Sequence, residues 1–225
     1  MQKQKQFKMV MAVLSAALLA APVYANQNPH KLAIDKKNIK VWTYQSDKLP
    51  IFSYKAETTY QVPAEQAVAV VLDAVNSVQW VPYLGHVEML SRNDQKGEFL
   101  LYMVLDFPFP LKDRDVVIKG KMQLEKNGTI TIKNTVANNV RAKNPEYIRL
   151  TEYQGDWTFE PQGPNKVKVT TSGYADPAGA IPLSFVNMFV QQQPYQMLLR
   201  MRNEVIKPQY TNPNLPEAIQ PKEGL

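Results

Sequence analysis

The order in which two hydrophobic periods follow one another is the feature that most constrains the fold of this chain. Apolar residues alternate at every second position at 39–44 and 52–60, as in half-buried strands. Helical spacing follows at 64–75 and returns at 182–206. Six further strand patterns lie between the two helical stretches, at 86–93, 97–107, 114–125, 129–138, 147–159 and 166–175. This order predicts an α+β fold in which helices cover one face of an antiparallel sheet.

Turn and helix signals support these boundaries. Pro63 stands at the start of the first helix, where its missing N–H is no loss. The pair Asn127-Gly128 suits a tight hairpin because both residues tolerate positive φ angles. Pro194 interrupts the second helical stretch, so we expect a kink there.

The amino terminus has the pattern of an export signal. Lys3, Lys5 and Lys8 precede an apolar run of 13 residues at 9–21, which is shorter than the roughly 20 residues of a membrane-spanning helix. Compact residues at the cleavage position predict a signal peptide at 1–25, cleaved after Ala25. We expect a periplasmic protein, with secretion as the second choice; a membrane anchor is the alternative. No cysteine follows the run, which excludes a lipoprotein anchor.

Composition excludes several classes of site. The chain has no cysteine and two histidines, so disulfides, thiolate catalysis and cysteine-based metal sites are excluded, and no metal or cofactor is expected. Loss of the three signal-peptide lysines lowers the formal net charge from +6 to +3. Nucleic-acid binding is therefore not expected. A transient contact with an anionic membrane surface stays open, and we expect a monomer.

The predicted domain layout has four parts. A polar leader without regular structure at 26–38 follows the signal peptide, a single folded domain covers 39–207, and 208–225 form an irregular tail with four prolines. The chain beyond residue 25 is long enough for one sizeable core. A long sheet curling around one long helix would leave an enclosed space between them.

Four short segments occur in order along the chain: 80–83 (Trp-Val-Pro-Tyr), 107–117 (a Phe-Pro-Phe-Pro loop leading into Arg-Asp), 155–161, and 176–182 continued by 185–187, 193–195 and 199–200. Together they make residues 50–206 resemble the START domain family, the lipid-transfer members of the helix-grip superfamily. The resemblance implies a helix-grip fold, in which a curved antiparallel β-sheet wraps around a long carboxy-terminal α-helix. It also implies an internal apolar cavity, roofed by that helix and a neighbouring loop, for one hydrophobic molecule.

The candidate cavity and lid residues are aromatic and aliphatic. We expect the rings of the stiff Phe107–Pro110 loop to contact ligand or bilayer; core capping is the alternative. Strand 114–125 turns Lys119 and Lys121 outward, so its inner face lacks the basic residue found in some sterol-binding relatives. The candidates are Trp80, Tyr83, Phe107, Phe109, Ile118, Met122, Phe185, Met188 and Phe189.

Three polar residues fall on strand faces that are otherwise apolar: Asn134, Glu152 and Thr171. Burial of a polar group without a partner costs about 1–3 kcal/mol. Each should therefore pair with another, with water or with a polar group of the ligand. A register shift that turns Glu152 outward is the alternative.

Charged residues of the loop corner are interpreted as structural. Asp113 and Asp115 flank Arg114, and we expect an ion pair that pins the corner. Acid–base catalysis by the two aspartates is disfavoured because no nucleophile accompanies them. His86 follows a glycine turn and is expected at a strand end rather than as a general base.

The sequence carries no nucleophile elbow, phosphate-binding glycine loop or zinc-protease helix. The expected function is non-catalytic binding, and transport, of a lipid or other hydrophobic small molecule. Two alternatives stay open: a helix-grip enzyme like the polyketide cyclases, and an envelope interaction module whose interior is filled core.

Overall fold

A computed structural model describes residues 31–45, 52–176, 178, 181–182, 184–185 and 188–221. The predicted signal peptide lies outside these residues. Within them, ten strands form one sheet: β1 Lys31–Lys36, β2 Ile39–Gln45, β3 Phe52–Tyr60, β4 Leu84–Asn93, β5 Glu98–Leu105, β6 Arg114–Leu124, β7 Ile130–Val136, β8 Ile148–Arg149, β9 Tyr153–Pro161 and β10 Val167–Ala175.

The strand order across the sheet is β1-β2-β3-β10-β9-β7-β6-β5-β4. Neighbours along this path run antiparallel, and the short β8 pairs with β6 in parallel. Neighbours on this path are consecutive in the chain except β9 and β7, which flank the short β8, and β3 and β10, a pairing that joins the two ends of the domain. This pairing positions the amino-terminal strands beside the carboxy-terminal ones.

Two α-helices with defined bounds accompany the sheet in the described part of the chain. Helix α1, Ala64–Leu72, begins directly after Pro63, as predicted, and is followed by a 3₁₀ turn at Val75–Gln79. Helix α2, Gln193–Glu204, packs against β2 and β3, whereas α1 packs against β9 and β10. The predicted helix-grip fold is confirmed. None of the described helices is both long and apolar enough to cross a bilayer.

The expected kink at Pro194 takes a different form. A π-helical turn covers Met188–Gln192, and Pro194 lies in the first turn of α2 rather than in its interior. Proline lacks an N–H, and the first turn of an α-helix leaves that donor unused in any case. The helical stretch predicted over 182–206 is therefore interrupted near Pro194, by a change of helical type just before the proline.

Buried polar contacts hold α2 inside the sheet. The Tyr60 hydroxyl on β3 donates to the Leu198 carbonyl at 2.6 Å, and the Gln66 amide on α1 donates to the Val205 carbonyl. Leu198 and Met201 of α2 have no exposed surface. The helix is therefore fixed on its apolar face and at its carboxyl end.

The amino-terminal leader is more ordered than its composition suggests. The prediction of a loose leader over 26–38 is wrong where the structure describes it, because β1 pairs with β2 from Lys31↔Thr43 to Lys36↔Ile39. β1 is an edge strand whose flanking lysines face solvent. Charged residues protect such an edge from pairing with other chains. They also interrupt the alternation of apolar and polar residues by which a strand is recognised in the sequence.

The proline-rich tail packs onto the domain. Its described part contains two short 3₁₀ turns, Pro208–Tyr210 and Glu217–Ile219. Tyr210, Leu215 and Ile219 are buried in the main core, and the Tyr210 hydroxyl donates to Asp73 at 3.0 Å. The tail therefore contributes to stability although it has no long element.

We predict that Ile219→Ala lowers the free energy of unfolding by about 2–5 kcal/mol, because it empties a fully buried site. Denaturant unfolding of the mature chain measures the change. Ile206→Ala is the matched control, since Ile206 is 68% exposed, and it should change stability by about 0.5 kcal/mol or less. Equal losses in the two variants would show that the tail does not belong to the core.

Candidate functional site

An internal cavity of about 260 Å³ lies between the inner face of the sheet, the segment after α1 and the segment that leads into α2. Its walls are mostly aliphatic and aromatic side chains. β5 and β6 contribute Leu101, Met103 and Ile118, and the helical segment contributes Phe189, Val190 and Met197. A hydrophobic molecule in this space would contact both the sheet and the roof.

Asn134 is the polar centre of the sheet wall. The β7–β9 pairing runs to Ile132↔Trp157 and resumes at Thr135↔Gln154, so the ladder opens at Asn134. Its side-chain Nδ2 donates to the Gly155 carbonyl at 2.6 Å, and its backbone N–H donates to Asp156 Oδ1 at 3.1 Å. The Asn134 Oδ1 atom is buried and has no hydrogen-bond partner among the described residues.

Trp80 supplies a second buried polar atom at the cavity wall. The residue follows the 3₁₀ turn after α1, is 2% exposed, and meets Trp157 edge to face at 6.3 Å. Its Nε1 donor also lacks a partner in the described structure. An indole N–H donates but cannot accept a hydrogen bond, so one donor on Trp80 and one acceptor on Asn134 lie unpaired in residues that line the cavity.

Two tyrosine phenols add to the polar part of the wall. Burial raises the pKa of Tyr54, with Thr171 beside it as a weaker opposing influence, and burial likewise raises the pKa of Tyr153. A Cβ atom on Gly155 would come within 2.5 Å of the Tyr153 hydroxyl. Glycine at 155 therefore makes room for the phenol, and both phenols stay neutral at physiological pH.

Aromatic contacts close the cavity mouth. The Phe107 ring stacks on Phe189 at 4.3 Å, and Tyr83 meets Phe189 at 5.2 Å. The Tyr83 hydroxyl approaches the Met188 sulfur at 3.2 Å. The Arg114 guanidinium lies over the Phe107 ring at 4.1 Å. These contacts join the loop before β6 to the segment before α2.

The structure brings together part of the predicted ligand set. Trp80, Tyr83, Phe107, Ile118, Asn134 and Phe189 line the cavity. Their role in binding stays a prediction. Met188 touches Tyr83 at the mouth, and Phe185 is half-buried. Met122 and Thr171 are buried but do not line the cavity, although Thr171 lies beside the lining residue Tyr54. Phe109 is 95% exposed at the loop tip.

The placement of Glu152 inside the cavity is wrong. The predicted strand 147–159 is broken between β8 and β9, and Glu152 is exposed in the break. The interruption reverses the phase of the two-residue period. Leu150 faces the cavity before it, and Tyr153, Gly155 and Trp157 face the cavity after it. Sequence reasoning missed these odd-numbered residues because it carried one phase across the whole segment.

The predicted pairing of Arg114 with Asp115 is also wrong. Successive residues of β6 point to opposite faces, and Asp115 pairs with Arg149, with Nε–Oδ1 and Nη2–Oδ2 distances of 2.8 Å. The Tyr102 hydroxyl adds a hydrogen bond to Asp115 at 3.0 Å, and burial raises the pKa of Tyr102 to about 12. Asp115 therefore pins β6 to the segment that holds β8.

Arg114 instead serves the inner side of the corner. Its guanidinium donates to the carbonyls of Lys112 and Ala178. Burial lowers the pKa of Arg114, and the charge of Asp113 partly opposes this shift. The Asp113 carboxylate accepts a hydrogen bond from the Phe107 N–H at 2.8 Å. Both charged groups thus hold the backbone around the mouth.

The described residues contain no cluster of three or more histidine, aspartate or glutamate side chains that could hold a metal ion. His86 is exposed on β4 and meets Tyr102 edge to face at 6.3 Å, on the side away from the cavity lining.

Comparison with known proteins gives consistent results. A sequence model of the START domain matches residues 15–205. The structure is similar to a STAR-related lipid transfer protein fragment from Xanthomonas axonopodis, with a TM-score of 0.73 and 26% identity, over 80% of this chain and 100% of that chain.

Two curated relatives are similar in sequence. An uncharacterized protein of Pseudomonas aeruginosa is 25% identical over 88% of this chain and 96% of its own length. The mitochondrial StAR-related lipid transfer protein 7 of Mus musculus is 25% identical over 60% of this chain. The match covers 37% of the mouse protein, so the remainder of that protein has no counterpart in the alignment.

We predict that Asp115→Ala lowers the free energy of unfolding by about 3–5 kcal/mol, because it leaves the Arg149 charge buried without its partner. Glu98→Ala is the matched control: it removes an ion pair with Lys121 whose side chains are about half exposed, and it should cost about 1 kcal/mol or less. Thermal and denaturant unfolding compare the two. A small loss for Asp115→Ala would contradict a pinning role.

Proposed function

Because the chain belongs to the START domain family, we propose that it binds a lipid or other hydrophobic small molecule in its internal cavity and carries it through the bacterial periplasm. The observation that supports this most directly is the mostly apolar cavity between the sheet and the helical segment that leads into α2. Burial of each methylene is worth about 0.8 kcal/mol, so a lipid chain needs a dry container to cross water. The cavity is such a container.

Entry and release require the mouth to open. The stacking of Phe107 on Phe189 and the contact of Tyr83 with Phe189 seal the described form. The segment before α2 changes from a π-helical turn to an α-helix at Gln193, and such irregular turns occur frequently at functional sites. Separation of Phe189 from Phe107 would uncover the cavity without unfolding the sheet, as lids do in other proteins.

Phe109 marks the surface that would meet a membrane during transfer. Its ring is 95% exposed, and it lies two residues from Phe107 in the mouth loop. An exposed aromatic ring beside a cavity mouth suits transient insertion at a bilayer interface. The proposed carrier would therefore exchange its ligand where the mouth faces the membrane.

The periplasmic location rests on the amino-terminal sequence, where three lysines, an apolar run and Ala25 form the export pattern. The expected mature chain is monomeric and carries a net charge of +3. This charge is small and is not concentrated in a long run of lysine and arginine, so we do not expect a nucleic-acid partner.

Non-catalytic binding is favoured by the chemistry of the walls. No described lining residue is an aspartate, glutamate, histidine, lysine or arginine, and burial raises the pKa of Tyr54 and Tyr153 away from neutrality. General acid–base catalysis works best with a pKa near the working pH. A cyclase-like enzyme and an interaction module are the other functions that the next experiment distinguishes.

We predict that the protein purified from the periplasm of its own cells has the mass of a chain beginning at Asn26 and carries one hydrophobic molecule per chain. Native mass spectrometry and analysis of the extracted lipid measure both. A cavity that is always empty and excludes added lipids would contradict ligand binding, chemical conversion of the bound molecule would indicate an enzyme, and an unprocessed cytoplasmic chain would contradict export.

We predict that Phe109→Ser slows ligand transfer between vesicles several-fold and leaves ligand affinity unchanged, because the ring lies outside the cavity. Leu32→Ser is the matched control, since Leu32 is an exposed apolar residue on β1. A vesicle transfer assay gives the rate, and an equilibrium titration gives the affinity. If both variants transferred at the wild-type rate, the mouth loop would not be the membrane contact.

A further inference from the structure

We infer that the cavity selects an uncharged amphiphile that carries a hydroxyl-type group, for which Asn134 Oδ1 is the candidate acceptor and Trp80 Nε1 the candidate donor. Such selectivity presupposes the hydrophobic-ligand binding proposed above and specifies its substrate class. It separates a neutral lipid alcohol from fatty acids and from two-chain phospholipids.

The absence of charge around the cavity disfavours an ionised ligand. No described lining residue bears a formal charge. In the sequence, residues 177–199, which lead into and form much of α2, contain no aspartate, glutamate, lysine, arginine or histidine. A buried carboxylate or phosphate without a partner is strongly disfavoured. A ligand whose head lies inside the cavity must therefore be neutral there.

The buried cation at the mouth is already engaged. Arg114 donates to the carbonyls of Lys112 and Ala178, and its guanidinium lies over the Phe107 ring. It is 2% exposed, and its side chain is not part of the cavity lining. Its structural contacts would have to break before it could bind an anionic head group.

The orientation of Asn134 fixes which kind of atom faces the ligand. The side-chain atom 2.6 Å from the Gly155 carbonyl must be the Nδ2 donor, because a carbonyl oxygen only accepts hydrogen bonds. The remaining atom is therefore the Oδ1 acceptor. Asn134 is 7% exposed and lines the cavity, so a ligand can satisfy this oxygen only by supplying a proton.

Trp80 requires the opposite kind of group. Its Nε1–H is buried, lacks a partner among the described residues and can only donate. A hydroxyl group both donates and accepts, so it has the chemistry to pair with either atom. A carboxylate or an ether oxygen can accept from Trp80 but has no proton for Asn134. The wall thus distinguishes an alcohol from molecules of the same chain length.

Cavity volume is consistent with a small ligand. A space of about 260 Å³ lies near the lower end of the range of roughly 300–1,000 Å³ for small-molecule sites. A medium-length chain with one hydroxyl group is therefore a suitable first probe.

Intrinsic fluorescence can test this selectivity on the whole mature chain. Two of the three tryptophans, Trp80 and Trp157, line the cavity, whereas Trp42 lies on β2 outside it. A Trp42→Phe background therefore makes the emission report on the cavity. The probes are 1-decanol, decyl methyl ether, sodium decanoate and didecanoyl phosphatidylcholine. We expect 1-decanol to bind at least about tenfold more tightly than decanoate, and the phospholipid to bind weakly or not at all.

Asn134→Leu and Trp80→Phe test the two anchoring atoms. Asn134→Leu should lower the decanol-to-ether affinity ratio about five- to tenfold, the loss of one buried hydrogen bond. Trp80→Phe should weaken both probes. Met197→Leu is the matched control, because Met197 lines the cavity without a hydrogen-bonding group, and its ratio should equal the wild-type ratio. A ratio of two affinities is insensitive to a partial loss of folded protein.

The outcomes separate this selectivity from the general function. Stoichiometric binding of the phospholipid or of decanoate as tight as that of decanol would overturn the neutral-ligand class but support hydrophobic-ligand binding. An unchanged decanol-to-ether ratio in Asn134→Leu would overturn the anchoring role of Asn134. Failure of all four probes to bind would overturn both the selectivity and the proposed function.

Discussion

The pairing of β3 with β10 is the contact on which the rest of the structure depends. It joins residues more than a hundred positions apart in eight register pairs, from Val167↔Tyr60 to Tyr174↔Ser53. Through it, the amino-terminal strands extend the sheet and provide the surface of β2 and β3 on which α2 packs. Without this pairing α2 would lose that surface, and the cavity would lose its roof.

The cavity wall combines rigidity with unused hydrogen-bonding capacity. Two hydrogen bonds hold the open ladder at Asn134: its backbone N–H donates to the Asp156 carboxylate, and its side-chain amide donates to the Gly155 carbonyl. Burial keeps the phenols of Tyr54 and Tyr153 protonated by raising each pKa. A wall that is polar but uncharged can bind a neutral group without the desolvation cost of an ion, and this favours ligand selection over chemistry.

Sequence patterns predicted most of the fold but only part of the site. Alternation located β3 and β6 because each strand keeps one phase along its length, and Pro63 located the start of α1. The same period failed across 150–152, where the irregular segment turned Glu152 outward and Trp157 inward. A phase reversal leaves no mark in composition, because both faces of that segment contain apolar residues.

The sequence by itself determined the order of elements, the uncharged character of residues 177–199 and the export pattern at the amino terminus. These depend on local residue types and their spacing. The tertiary structure decided which charges meet, pairing Asp115 with Arg149 rather than with Arg114, and which polar atoms stay without partners beside the cavity. Such partnerships join residues from different strands, so they are fixed only when sheet curvature and strand register bring distant segments together.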